Sequence, residues 1–158
     1  MMYQYIKEEG SDPLFTFITK NGLKYFVAFR KMDFGIDYFK NLYSVDFWES
    51  YNQKFIKDDF VEKTIIAILF DFIQNYPFSI LHYVCDSVDL KQNARSKLFD
   101  LWYNKCSNEE FSKLDLTYKV EKENIEYKLE FIFKTDLYDI TKVKENIVNQ
   151  INEFSSFK

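Results

Sequence analysis

The chain has 158 residues, 47% apolar and 29% charged, with a formal net charge of −4. That size and balance predict one globular domain over 1–158 and argue against disorder. The acidic balance argues against a general nucleic-acid binder, which needs a concentrated positive field. No apolar run approaches the roughly 18–20 residues needed to span a bilayer. Two cysteines, Cys85 and Cys106, and one histidine, His82, are too few for a disulfide scaffold or a histidine-rich metal site. The start Met1-Met2-Tyr3-Gln4-Tyr5 has no basic region before an apolar core. No signal peptide is therefore expected, the cysteines are expected reduced, and the chain reads as cytoplasmic.

In chain order, Tyr3 to Lys7 predicts a first strand, closed by the Gly10-Ser11-Asp12-Pro13 breaker. Phe15, Phe17 and Thr19 alternate with Thr16, Ile18 and Lys20, and Tyr25, Val27 and Phe29 alternate with Lys24, Phe26 and Ala28. Asn21-Gly22 between them is a strong hairpin signal, predicting that Thr16–Lys20 pairs with Leu23–Arg30 across a two-residue turn. After a loosely patterned stretch from Asp33 to Asn41, Val45, Phe47 and Tyr51 suggest a fourth strand.

A first helix is expected from Asp59, where Asp59 and Glu62 have capping-box spacing. Phe60 to Ile73 is apolar at almost every position, with Lys63, Thr64, Asp71 and Gln74 on one narrow strip, so this helix should be the centre of the core and end at Tyr76-Pro77. A short strand, Ile80 to Cys85, precedes a second helix from about Ser87 to Lys105. Asp86 can cap that helix, and Asp89 sits in its first turn. A polar linker over Ser107–Lys113 leads to a second hairpin, with Tyr118 and Val120 on one side of Lys122-Glu123-Asn124 and Tyr127, Leu129, Phe131 and Phe133 on the other. Ile140, Val143, Ile147, Ile151 and Phe154 recur at helical spacing and predict a last amphipathic helix. The order ββββ-α-β-α-ββ-α implies an α+β domain: a mostly antiparallel sheet of about six or seven strands, with three helices packed mainly on one face. Only the strand, helix and strand over 80–121 leaves room for a parallel crossover.

The segment with the densest functional potential runs from His82 through Tyr83-Val84-Cys85-Asp86 to Leu98-Phe99-Asp100-Leu101-Trp102-Tyr103. Tyr83, Val84, Cys85, Asp86, Asp89, Gln92, Ala94, Arg95, Leu98, Phe99, Trp102 and Tyr103 make it resemble a family of small uncharacterised bacterial proteins, a domain of unknown function. The resemblance extends loosely to the early hairpin and departs at Leu90, where a glycine would be expected. It implies a bacterial or phage-associated origin and no known activity. The candidate functional cluster is Asp86, Asp89, Gln92, Arg95 and Trp102.

Arg95 lies at the edge of the apolar arc of the second helix, away from Asp89 and Asp100. It is expected at least half buried, either stacked on Trp102 and paired internally or held for an anionic ligand. A helix cap and a first-turn charge account for Asp86 and Asp89 without remainder, whereas metal ligation or acid–base work would need further carboxylates converging in space. Cys85, at a strand end before a helix, reads as an inert small hydrophobe rather than a nucleophile. His82, on the opposite strand face from Cys85, reads as a structural or surface residue rather than half of a dyad. The 20% aromatic content points to core and interface packing over a base-stacking surface, since no basic track accompanies it.

No catalytic residue, metal ligand or cofactor is assigned, and the balance leans against an enzyme. The leading reading is a non-enzymatic interaction or regulatory module whose partner is another protein, in a setting such as a bacterial regulatory or phage-conflict system. The competing one is a small metal-dependent phosphodiesterase or nuclease using Asp86, Asp89 and Arg95. The oligomeric state stays open.

Overall fold

A computed structural model describes residues 2–10, 12–33, 35–50, 58–86, 100, 101, 103, 104 and 110–156, without the side chains of 84–86, 118, 120 and 153–156. The elements are β1 (Tyr5–Glu8), β2 (Leu14–Ile18), β3 (Lys24–Lys31), a 3-10 turn (Asp37–Phe39), β4 (Leu42–Glu49), α1 (Asp59–Asn75), β5 (Ile80–Asp86), β6 (Phe111–Val120), β7 (Ile125–Lys134) and α2 (Ile140–Ser156). The strands form one seven-stranded sheet ordered β1-β2-β3-β4-β5-β7-β6. Every neighbouring pair is antiparallel except β4 and β5. The expected mixed α+β architecture is therefore present, with two α-helices rather than three among the described residues. The helix expected over 87–105 falls mostly outside them, with helical backbone described at Asp100, Leu101, Tyr103 and Asn104.

The parallel crossover lies elsewhere than expected. It is β4–α1–β5, because α1 carries the chain back along the sheet so that Leu42, Tyr43 and Ser44 pair with Ile80, Leu81 and His82. The strand after 100 goes to the sheet edge, and β7 returns between it and β5. That strand also starts earlier than expected, at Phe111, since Phe111, Lys113 and Asp115 alternate with Ser112, Leu114 and Leu116 through the supposed linker.

The early hairpin forms with a longer loop than the two-residue turn expected. Gly22 donates to the Thr19 carbonyl at 2.9 Å and Thr19 to the Leu23 carbonyl at 2.9 Å. Only Gly22 in this loop has positive φ, at 79°. Asn21 stays in the ordinary region, which gives a three-residue loop ending in a left-handed glycine.

The helices do not share a face. Val61, Ile65, Ile68, Leu69 and Phe72 of α1 pack against Phe15, Phe17, Val27, Phe29, Val45, Leu81 and Ile132. Val143 and Ile147 of α2 pack against Leu42, Ile80, Leu114, Phe131 and Phe133. Ile80 and Leu81 are consecutive on one strand, as are Phe131 and Ile132, so their side chains point to opposite sides. The sheet is sandwiched between α1 and α2, which corrects the one-sided packing expected from sequence.

Helix α1 is capped one residue earlier than predicted, by Asp58, whose carboxylate accepts from the Phe60 amide at 3.0 Å. Its polar strip is solvated only in part, at Lys63 and Gln74. Thr64 is fully buried, accepting from the Tyr3 amide at 2.8 Å, and Asp71 accepts from the Tyr5 hydroxyl at 3.3 Å. The N-terminal segment supplies the partners of these two residues. Near the C-terminal end of the helix, the Phe29 and Phe72 rings stack with centroids 3.9 Å apart. Leu69 is wholly inaccessible. Leu69→Ala is therefore expected to cost about 2–5 kcal/mol in a urea-denaturation measurement.

Candidate functional site

Of the cluster marked by sequence, the structure places only the backbone of Asp86, which ends β5 opposite Tyr127. Its side chain lies outside the described residues, as do Asp89, Gln92, Arg95 and Trp102, and with them the expected burial of Arg95 and the states of Cys85 and Cys106. The described residues bring together two other groups, one on each face of the β5–β7–β6 half of the sheet.

On the α1 side, Tyr83, Glu130 and Asp115 stand opposite one another on three consecutive strands. Lys113, one pleat along β6, is paired with the Asp100 carboxylate and lies 3.5 Å from both Asp115 and Glu130. The Lys113 side chain is only 11% exposed, and Glu130 and Tyr83 are buried. Burial pushes the Lys113 ammonium down, but the hydrogen bond with Asp100 and the charges of Glu130, Asp115 and Asp100 outweigh it, leaving its pKa above the usual lysine value. Three carboxylates thus converge on a site already held by a cation of the chain itself. Among the described residues, no group of three or more His, Cys, Asp or Glu side chains is placed to hold a metal ion.

On the α2 side, His82 stacks on Phe131 with centroids 4.5 Å apart and planes 15° apart. It borders a cavity of about 190 Å³ between the sheet and α2. Burial pushes the imidazole pKa down to about 4, against a small opposing contribution from the Glu130 backbone carbonyl. The ring is therefore neutral near pH 7. Its Nδ1 is buried with no hydrogen-bond partner among the described residues.

His82, read from sequence as a structural or surface residue, is buried; its cavity was missed. Lys113 and Glu130 were missed altogether. The available signal was parity: the alternation that sends Tyr127, Leu129, Phe131 and Phe133 to one side sends Lys128, Glu130 and Ile132 to the other. That second side draws notice only once it is known to be covered too.

Two measurements check these environments. Lys113→Met leaves the buried Glu130 charge facing Asp115 with no ammonium between them, and is expected to destabilise the fold by about 3–5 kcal/mol in urea titrations. Because the unfolded chain takes up a proton at His82 near pH 6.5 and the folded chain only near pH 4, stability falls as pH drops through that window, by up to about 3 kcal/mol. In His82→Phe that part of the acid-side loss should vanish from the ΔG-versus-pH curve.

No curated protein and no solved structure matches this chain. Residues 57–131, from the approach to α1 into β7, match the model of a family of unknown function (DUF6169). That span takes in the 82–103 segment, Lys113 and Glu130. It leaves out the early hairpin, where the resemblance had been expected to continue. A little under half of the chain is thus similar to a family of unknown function.

Proposed function

We propose that the domain is a non-enzymatic interaction module, and that it meets its partner protein through the face of β1–β4 opposite α1. The supporting observation is a row of side chains across four strands. Ile6, Thr16, Phe26 and Trp48 stand opposite one another in register, with Thr16 buried within the row, and Phe26 stacks on Trp48 with centroids 5.2 Å apart. Ile6 and the neighbouring Ile18 are 62% and 61% exposed. No residue of β1, β2 or β3 belongs to the core beneath α2, so α2 shields only the other half of this face. Exposed branched side chains beside a flat aromatic pair form the kind of patch that protein interfaces bury.

The enzyme reading has less to stand on. The carboxylates that converge among the described residues surround Lys113, while Asp89, Arg95 and the side chain of Asp86 lie outside the described residues. Among the described residues no helix is long and apolar enough to cross a membrane.

Ile6 and Ile18 are mostly exposed, so in Ile6→Lys with Ile18→Lys the melting temperature should stay within about 2 °C of the wild type. Affinity purification from the native host should recover a partner with the wild-type chain and lose it with the double variant. Identical recovery by both chains would rule out this face.

A further inference from the structure

We propose that the outer edge of β6 is a self-association surface, on which a second copy of this chain pairs its own β6 antiparallel about a two-fold axis at Thr117. This edge closes the end of the sheet opposite β1, and the proposal does not depend on the interaction reading.

The two ends of the sheet are unlike. β1 is four residues long, so it offers a partner little to pair with. β6 is ten residues long and contains neither proline nor glycine. It pairs with β7 residue for residue from Phe111 to Val120, without a bulge. Short length, proline and bulges are common devices that keep a sheet edge from accepting another strand, and β6 has none of them. Among the described residues no strand lies beyond it. Every second residue of such an edge directs its N–H and C=O outward, and an added strand satisfies these groups.

Charged side chains are the remaining device, and on β6 they select a register rather than block every one. A two-fold axis normal to the sheet sets odd residues against odd ones, so the residue on the axis fixes the pairing. With Asp115 or Lys119 on the axis, that charge meets itself. With Leu116 there, Lys113 meets Lys119; with Tyr118 there, Asp115 meets Glu121. With Thr117 on the axis, Asp115 of each copy meets Lys119 of the other, and Lys113 falls opposite Glu121. The Asp115 side chain is 63% exposed, and Thr117 and Lys119 are exposed too, so a second copy can reach them. An axis on Leu114 would set Lys113 against Asp115, but the Lys113 side chain is 11% exposed and already turned to Asp100 and Glu130. Opposite charges directly across two strands attract, and like charges repel. The symmetric pairing occupies the same edge on both copies, so it closes at two, whereas β6 added to β1 would run on as a fibre.

The test is sedimentation equilibrium on the full chain at low ionic strength over a range of concentrations, with circular dichroism to show that each variant is folded. The wild type is expected to form a dimer and nothing larger, and added salt to weaken it. Asp115→Lys sets lysine against lysine, and Lys119→Glu sets carboxylate against carboxylate. Each variant alone should therefore dimerise about tenfold more weakly than the wild type. An equimolar mixture of the two restores both attractive pairs and should associate as the wild type does, and so should the double variant on its own. With Leu114 on the axis neither recovery would occur, because Lys119 would take no part. The proposal is overturned if the wild type is still monomeric at about 1 mM, which would leave the edge to some other partner. It is equally overturned if the wild type grows beyond dimers, if either folded single variant dimerises as well as the wild type, or if the mixture does not recover. Should Asp115→Lys not fold, the comparison of the wild type with Lys119→Glu decides the matter alone.

Discussion

The position of α1 between two parallel neighbours is the constraint on which the rest of the structure depends. A helix apolar round most of its circumference cannot lie on a surface, so it must be roofed as well as floored. Here the floor is the odd-numbered face of β2–β4 together with Leu81 and Ile132, and the N-terminal segment meets Thr64 and Asp71 of the polar strip through Tyr3 and Tyr5. Returning the chain along α1 puts β5 beside β4 in parallel. That in turn leaves β5 one free edge, which β7 takes up. The outer position then falls to β6, and α2 follows β7 on the opposite side of the sheet.

This arrangement explains why polar chemistry is distributed as it is. Away from α1, the α1-side face of β5, β7 and β6 carries Tyr83, Glu130, Asp115 and Lys113 where the β2–β4 half carries phenylalanines. A buried carboxylate is tolerable there because a lysine of the neighbouring strand reaches it, and that lysine is in turn held by Asp100 from the segment before β6. On the other face the apolar stripe of α2 meets Phe131 and Phe133, and His82 is the group that departs from the pattern.

Much of the scaffold was legible in sequence, for identifiable reasons. The run Phe60–Ile73 and the Asn21-Gly22 punctuation are local signals whose physics does not need the rest of the chain, and both elements form. What failed were inferences about distant partners. Thr64 was placed on a polar strip with no partner named, because that partner, the Tyr3 amide, is 61 residues away in the chain. The three helices were gathered on one face because alternation in β7 marks its apolar side clearly. It conceals that Ile132, on the supposedly exposed side, belongs to the core under α1. The first hairpin's loop was misjudged by a residue because Asn tolerates positive φ without requiring it. Of the candidate site, the sequence marked Asp86, Asp89, Gln92, Arg95 and Trp102, whose side chains lie outside the described residues. The groups the structure does bring together, Lys113 with Glu130 and His82 with its cavity, owe their character to burial, which no spacing announces.

The strand order also sets a timetable for assembly during synthesis. β1 to β4 are neighbours both in the chain and in the sheet, so their pairing needs only short loops and can begin as soon as residue 49 is available. The apolar face they create, with Phe15, Phe17, Val27 and Phe29, then has nothing to rest on until α1 emerges. At 5–20 residues per second, roughly the pace of translation, that face stays uncovered for a few seconds on each nascent chain. The N-terminal meander is thus the stretch on which a chaperone that recognises exposed aromatic surface would act, and the span in which a slowed ribosome would most increase misassembly.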